Sequence, residues 1–501
     1  MVRVALFNNQ GGQIRMGFYA GIARDLQSNQ PEFDAVLVLW TKAEALLARA
    51  EGIASVVDFE SWSANWTNIE GMADQLNLKY PNVNWSEIIA AERSFTDYSV
   101  LLGAAGDRRE NSDYVSELLT RIVGFFEYVF DTFQIKAMMC PTADTLFTLV
   151  GFKVAQQKGV QAVAESAAWL LPKGLSGGGF LTADEYMQCP KMMRAYQDFG
   201  SVDPSLADVA NANELAAGIV EFDGKTTFYE KNKGKKAGLS ILTPNLSNLF
   251  LYLVANSRRD KRIEYMKFEI LEKVRANALR FFRRMAARHL LGSKICDGIP
   301  VKSVFYALHY QPEQSTLAQG IWYANQIALV ENISKSLPLG YTLVVKEHPW
   351  GRGNRPAWQY KHLARFYNVM FCDAPAKQII QKVDAVVAVA GTIAVESLVL
   401  DRPTVLLGKA FFDFSDLYYK VSNISDLPKT LRRILVDQCH ALRTDRDFEI
   451  SRFLLAYQRA LIPALPVAEN SAIYAHALMD EIRSQTTHCN SHVSSLHSSI
   501  K

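Results

Sequence analysis

The stretch that most constrains this chain lies between residues 341 and 408, where short apolar runs alternate with breaks and helical spacing. Thr342–Lys346 is rich in β-branched residues and is closed by Glu347-His348-Pro349. Residues 385–389 (AVVAV) form a second run with no polar alternation, and residues 404–407 form a third. A strand that is apolar at every position is buried on both faces, as happens inside a parallel sheet covered by helices. Ala390-Gly391 breaks the second run, Thr392 is placed to cap a helix reaching Leu400, and Arg402-Pro403 ends that helix. The stretch therefore predicts an α/β unit with a parallel sheet.

That order also says where chemistry can sit. In open α/β sheets, ligands bind outside the carboxyl ends of the strands. Two such ends are marked here, by His348 and by Gly391-Thr392. Glycine lets backbone amides approach a ligand, and a helix N-terminus favours an anion. Glu396 is four residues after Thr392, one turn on and on the same helix face, where a carboxylate can accept from ribose hydroxyls. His348 can donate to a phosphate or carboxylate. Lys346 shares the face of His348 but lies further back, and strand alternation turns Glu347 to the other face. The constellation is that of a nucleotide-sugar site.

Lys346-Glu347-His348-Pro349, then Ala390-Gly391-Thr392 with Glu396, then Arg402-Pro403 and Gly408, resemble the capsule polysaccharide biosynthesis family. The stretch from Leu308-His309-Tyr310-Gln311-Pro312 through Glu313-Gln314-Ser315-Thr316 is similar to the same family. The resemblance spans roughly residues 301–427, and Ala390 stands where relatives often carry serine. It implies a GT-B glycosyltransferase, related to enzymes some of which use CMP-activated Kdo. It adds His309 and Glu313 to the expected donor-site residues Lys346, His348, Gly391, Thr392 and Glu396, with support of its own loop an equally open reading of Glu313.

The whole chain has 501 residues, enough for two or three domains. With 49% apolar and 21% charged residues it is globular in composition, and a net charge of +3 does not point to nucleic acid. Six scattered cysteines make no CxxC pair, and the nine histidines make no HExxH, so neither metal nor disulfide framework is expected. Reduced thiols fit a cytoplasmic enzyme. The chain opens directly on a strand, which predicts no signal peptide. The longest apolar stretch, 383–400, contains Asp384 and Glu396 and reads as a strand plus a helix, not a membrane span.

The N-terminal half repeats the α/β rhythm. Strands are expected at 2–7, 35–40, 56–57, 136–140 and 159–163, with helices near 16–27, 42–50, 115–133 and 145–158. Gly11-Gly12 is a turn without a GxGxxG context. Asp144 follows one strand, and Glu165 ends another where it would face a cleft; a plain surface carboxylate is an equally open reading of Glu165. The Gly-rich 174–179 reads as a surface loop or a lid, and 225–236 as a lysine-rich loop. Residues 258–294, from Arg258 to Lys294, hold twelve Lys/Arg against four Asp/Glu, with Ile263, Met266, Ile270, Val274, Ala278, Phe281 and Met285 at helical steps. That is either a helix lying on an anionic membrane or one packed on the protein with a solvated basic face.

The expected fold is α/β: two Rossmann-like domains, in the GT-B arrangement the resemblance implies, with a helical insertion. The expected divisions are an acceptor-side domain at 1–190, a basic helical segment at 191–299, a donor domain at 300–430, and C-terminal helices at 431–483, the last crossing back to the first domain. A disordered tail is expected at 484–501. The expected activity is transfer of a sugar, Kdo or a related acid sugar on CMP, to a bacterial surface polysaccharide or glycolipid. The enzyme would sit in the cytoplasm, and on the inner face of the membrane if the basic helix is the membrane-bound one of its two readings. Catalysis would use His348 on the leaving nucleotide and Glu165 or Asp144 as base or nucleophile, with no cofactor beyond the nucleotide-sugar substrate. A nucleotide-sugar 2-epimerase and a noncatalytic assembly protein are the alternatives.

Overall fold

The structure is a computed structural model, and it describes the chain except residues 9–12, 30, 68–70, 96–111, 169, 173–174, 176, 201–204, 222–269, 292–297, 350, 441–444 and 499–501. Gly11-Gly12, the lysine-rich loop and the first part of the basic segment lie outside the described residues.

The chain forms two units. One comprises residues 1–85, 111–197 and 456–501, the other 86–110 and 198–455. The first unit contains β1 (Val2–Asn8), β2 (Phe33–Leu39), β3 (Val56–Asp58), β4 (Ala137–Cys140), β5 (Gln161–Ala167) and β6 (Gly179–Thr182). They lie in the order β3-β2-β1-β4-β5-β6, all parallel except the antiparallel β6. Leu6 and Leu37 of the sheet share one core with Phe18 and Ile22 of helix Gln13–Asn29 and with Tyr474, Leu478 and Ile482 of the last helix, Ser471–Ser498. Each such fully buried side chain contributes about 1.5–3 kcal/mol.

The second unit contains β7 (Ser303–Ala307), β8 (Thr342–Lys346), β9 (Val369–Phe371), β10 (Ala385–Ala388), β11 (Thr404–Leu406) and β12 (Tyr419–Lys420). The order is β12-β11-β10-β7-β8-β9, parallel throughout. Both sheets are thus doubly wound in the same sense, with the strand order reversing between the first and fourth strands. The α/β class and the two Rossmann-like sheets expected from the sequence are present. The central strands β7, β8 and β10 carry Phe305, Val344 and Val386 to one face and Tyr306, Val345 and Val387 to the other, all wholly buried, which is why their sequence shows no alternation.

Several expectations change. The helix expected over 315–336 is two, Gln314–Leu317 and Gln326–Ser336, because the Asn325 side chain accepts from the Ala328 N–H and starts the second. The helix expected over 452–483 divides into Arg446–Ala460 and Ser471–Ser498, with Pro463 and Pro466 between them. The tail expected to be disordered continues that last helix to Ser498: it has no glycine or proline, and extending a formed helix needs only one backbone bond per residue. Of the Gly-rich 174–179, Gly174 and Ser176 lie outside the described residues. Gly179 is not part of a lid, since it opens β6 and exchanges backbone hydrogen bonds with Ile462 at 2.9 and 2.8 Å.

The described part of the basic segment is helix Ile270–Leu291. It meets its unit through buried Ala276 and through arginines: Arg280 donates to the Asn354 side-chain oxygen at 3.2 Å, Arg283 to the Asn354 carbonyl at 2.6 Å, and Arg284 to the Arg352 carbonyl at 2.6 Å. Val274, Phe281, Phe282 and Met285 are exposed. The apolar stripe therefore faces away from the unit, and arginines on the other side hold the helix in place.

Candidate functional site

The switch point of the second sheet lies between β7 and β10, where ligands bind in doubly wound folds. The chain leaving β7 carries His309, the chain leaving the adjacent β8 carries His348, and the chain leaving β10 carries Gly391 and Thr392.

Gly391 is the N-cap of helix Thr392–Val399, at φ +92°. Thr392 is the first helical residue and not the cap, because a positive φ at the cap is strained for a β-branched side chain. A Cβ at Gly391 would lie 3.6 Å from the His309 Cε1, so the His309 ring stands directly beside the start of the helix. The first amides of a helix have no intrahelical acceptor, and the helix dipole adds positive potential there. The Thr392 hydroxyl hydrogen-bonds the Glu396 carboxylate, one turn on as the spacing implied. Burial raises the Glu396 pKa, against the opposing pull of Lys377 and of this hydrogen bond.

His309 is 9% exposed, and its Nε2 has no hydrogen-bond partner. Leaving a buried polar atom unpaired costs about 1–3 kcal/mol, so the unpaired nitrogen marks a place that a ligand atom can satisfy. The backbone is held in place: the His309 N–H donates to the Gln326 side-chain oxygen at 3.1 Å, which also accepts from the Tyr306 hydroxyl at 2.6 Å. Burial, then the positive potential of His348 and Arg355, pulls the His309 pKa from 6.5 to about 4. Burial, Arg355 and Lys346 do the same to His348, also to about 4. Both rings are neutral at pH 7, and a neutral imidazole offers one N–H donor and one acceptor. The Tyr310 ring stands 5.8 Å from the His348 ring.

Lys346 pairs with Ala307 across β7 and β8, and its ammonium donates to the Asp373 carbonyl at 3.2 Å. Glu313 is exposed; its carbonyl accepts the Thr316 and Leu317 N–H groups and its carboxylate accepts from the Ser315 hydroxyl at 3.2 Å. These contacts lie within its own loop.

Asp144 and Glu165 belong to the first unit. Asp144 is half-buried in the loop after β4, next to the switch point of that sheet. The helix after it starts at Leu146, capped by Thr145. Glu165 does not end its strand: β5 continues to Ala167, Glu165 pairs with Leu181, and it is buried within the sheet. Burial, then the charges of Glu165 and Asp144, push the Cys140 thiol well above its ordinary range, which makes it a poor nucleophile. Asn8, at the end of β1, is buried with both amide atoms unpaired, a feature of the same switch point that its sequence did not signal.

Sequence reasoning passed over Glu347 and missed Arg355, Gln311 and Tyr360, which form a buried network behind the two histidines. A lone arginine after a glycine-rich turn carries no motif, so only the tertiary contacts reveal it. An open groove of about 640 Å³ lies elsewhere, along the edge strand β3, lined by Trp62, Trp66 and Tyr128 among others. β3 is two strands from the switch point of its own sheet, and strand-end geometry is the better guide to the site.

One expected result arises from the Thr392–Glu396 pair. Glu396→Gln keeps the shape but loses the charge, and hydrogen bonds to a charged group are worth about 1.5–3 kcal/mol. Nucleotide affinity measured by calorimetry should fall by about tenfold or more with the melting temperature nearly unchanged. Equal affinity in variant and parent removes Glu396 from the site.

Residues 324–430 match the family model described as capsule polysaccharide biosynthesis protein, which confirms the resemblance for that segment. No curated protein matches the chain. Among solved structures, the beta Kdo 2,7 transferase KpsC of Thermosulfurimonas dismutans is similar, at 11% identity over 71% of this chain and 89% of that one, with a TM-score of 0.32. HepE of Anabaena in complex with UDP-glucose is 10% identical over 96% and 100%, with a TM-score of 0.27. UDP-GlcNAc 2-epimerase of Methanocaldococcus jannaschii is 10% identical over 87% and 93%, with a TM-score of 0.22.

Proposed function

We propose that this chain is a glycosyltransferase of surface polysaccharide assembly whose second unit binds a nucleotide-activated sugar. The observation that carries the reading is the meeting of His309, with its unpaired Nε2, and the Gly391-Thr392 helix start at the switch point of the β7–β12 sheet. The donor phosphate takes the helix N-terminus and the imidazole donors, and Glu396 takes the ribose. As the bond to the sugar breaks, charge grows on the leaving phosphate, and preorganised donors stabilise it without reorganisation. The match to the capsule biosynthesis family supports the substrate class, a surface polysaccharide. Kdo on CMP, which only the sequence resemblance implies, is the donor to try first. Of the two carboxylates in the first unit, Asp144, half-buried after β4, suits the role of base better than Glu165, which is locked in mid-strand.

The test is a thermal-shift panel of CMP, UDP, GDP and CDP, followed by incubation of the matching nucleotide sugar with and without acceptor glycan. A ligand held only by the native state at a hundred times its Kd adds about 2.7 kcal/mol. One nucleotide should raise the melting temperature and its sugar should appear on the acceptor. If no nucleotide shifts the melt, or if the sugar is epimerised without acceptor, the reading fails.

The exposed stripe of helix Ile270–Leu291 supports membrane association. Phe282 is 66% and Met285 59% exposed, and exposed Arg275 and Arg284 are on the same helix. Among the described residues no helix is long and apolar enough to cross a membrane, so the contact is peripheral if made there. Cosedimentation with vesicles containing phosphatidylserine should be strong at low salt and fall as salt rises past about 0.1 M, where the screening length is about 10 Å. Phe281→Ser with Phe282→Ser should abolish it; a parent protein that ignores such vesicles at low salt leaves this helix as packing alone.

A further inference from the structure

Behind the candidate site lies an ion pair that touches both histidines through the backbone. Arg355 is 2% exposed on its side chain and uses all three guanidinium nitrogens. Its Nε donates to the Glu347 carboxylate at 2.9 Å, one terminal nitrogen to the Gln311 side-chain oxygen at 2.9 Å, and the other to the His309 carbonyl at 2.7 Å. Glu347, directly after β8, answers from the same connection: one oxygen accepts the His348 backbone N–H at 2.9 Å, while the other accepts from Arg355 and from the Tyr360 hydroxyl at 2.6 Å. The loop between His348 and Arg355 is shaped around this pair. A Cβ at Gly351 would sit 2.6 Å from the Glu347 carboxylate, so only glycine leaves the carboxylate room there. Asn354 adds a further bond, from its amide to the Gln311 carbonyl at 3.1 Å.

We propose that Glu347 and Arg355 are positioning residues of the nucleotide-sugar site, setting the distance between His309 and His348 by holding the backbone of each. The physical reason is rigidity. Two loops leaving adjacent strands would otherwise drift independently, and a site loses much of its rate when a donor is misplaced by about 1 Å. A planar fork with donors in fixed directions can hold two loops at once, whereas a lysine offers a single point charge. Neither residue needs to reach the ligand; both act through the histidines. The inference rests on the donor-site reading of the second unit.

The test compares three full-length variants. Arg355→Lys keeps the charge but cannot span Glu347, Gln311 and His309 together. Glu347→Gln keeps the shape but weakens the pairing. Leu431→Ala, at a wholly buried core position on helix Leu427–Leu435, which carries none of the network residues, destabilises the same unit. Affinity for the nucleotide that stabilises the parent should fall at least tenfold in the first two and stay within twofold in the third. In spectra of nitrogen-labelled histidine, the His309 and His348 signals should move together in Arg355→Lys, while those of His362 and His476 stay in place. Parental affinity in a folded Arg355→Lys, or unmoved His309 and His348 signals, overturns the positioning role. An equal loss in Leu431→Ala overturns it too, since general loosening then suffices. A parent that binds no nucleotide overturns the donor-site reading itself, an outcome seen before any variant is made.

Discussion

Glu347→Ala should lower the stability of the second unit by about 3–5 kcal/mol, the usual result of removing one partner of a buried ion pair. Arg355 would be left with an uncompensated charge at 2% exposure, and the Tyr360 hydroxyl and His348 N–H would lose their acceptor. For a unit of this size that corresponds to a fall in melting temperature of roughly 6–20 °C. Scanning calorimetry of the full chain reads it directly. The doubly apolar Glu347→Met with Arg355→Met should recover much of the loss, because well-packed apolar residues often replace a buried pair at little cost. A shift of under about 2 °C for Glu347→Ala would mean that water reaches the pair, which the burial of both residues opposes.

The second large effect is on turnover. His348→Ala should reduce the rate of sugar transfer by about 10²–10³, the range seen when one preorganised donor to a developing charge is removed. Its ring leaves the end of β8 ahead of Pro349, where the backbone is restricted, and the His348 backbone N–H is anchored on Glu347. With a pKa near 4 the imidazole is neutral at pH 7, and on the proposed reading its N–H would donate to the phosphate oxygen in a bond that strengthens as charge moves there. Donor affinity should therefore fall less than kcat. The assay is transfer of labelled sugar from the nucleotide donor that stabilises the parent, with folding checked by circular dichroism. A well-folded variant with parental turnover leaves His348 as a strand terminator only.

What was legible in the sequence is what local pattern controls. Thr342–Lys346 and the strands beginning at Ala385 and Thr404 could be placed because a strand buried on both faces has to be apolar throughout. Lys42–Ala50 lies where the sequence places a helix at 42–50, and the structure shows a capping box of Thr41 and Glu44 at its start. The Thr392–Glu396 spacing is a property of one helical turn, and the structure joins the two by a hydrogen bond. Where local signals compete, the reading failed: Asn325 caps a new helix inside an apparently continuous one, and Glu165 sits within a strand that runs two residues further.

The sequence by itself determined the class, since runs of buried strands separated by helices admit little besides a doubly wound parallel sheet. It also determined that His348, Gly391 and Thr392 stand at strand ends. Only the tertiary structure decided which ends are neighbours: the strand order places β7 between β8 and β10, and so sets His309 beside Gly391 on one side and His348 on the other. It alone decided the state of Glu347, which alternation could turn away from the ligand but could not pair with an arginine eight residues on. It also turned the apolar stripe of helix Ile270–Leu291 outward, because Arg280, Arg283 and Arg284 find carbonyl and amide oxygens in the 352–354 loop. A helical period says that a face is apolar; which face is buried depends on partners that are distant in the chain and on whether polar groups there can be satisfied.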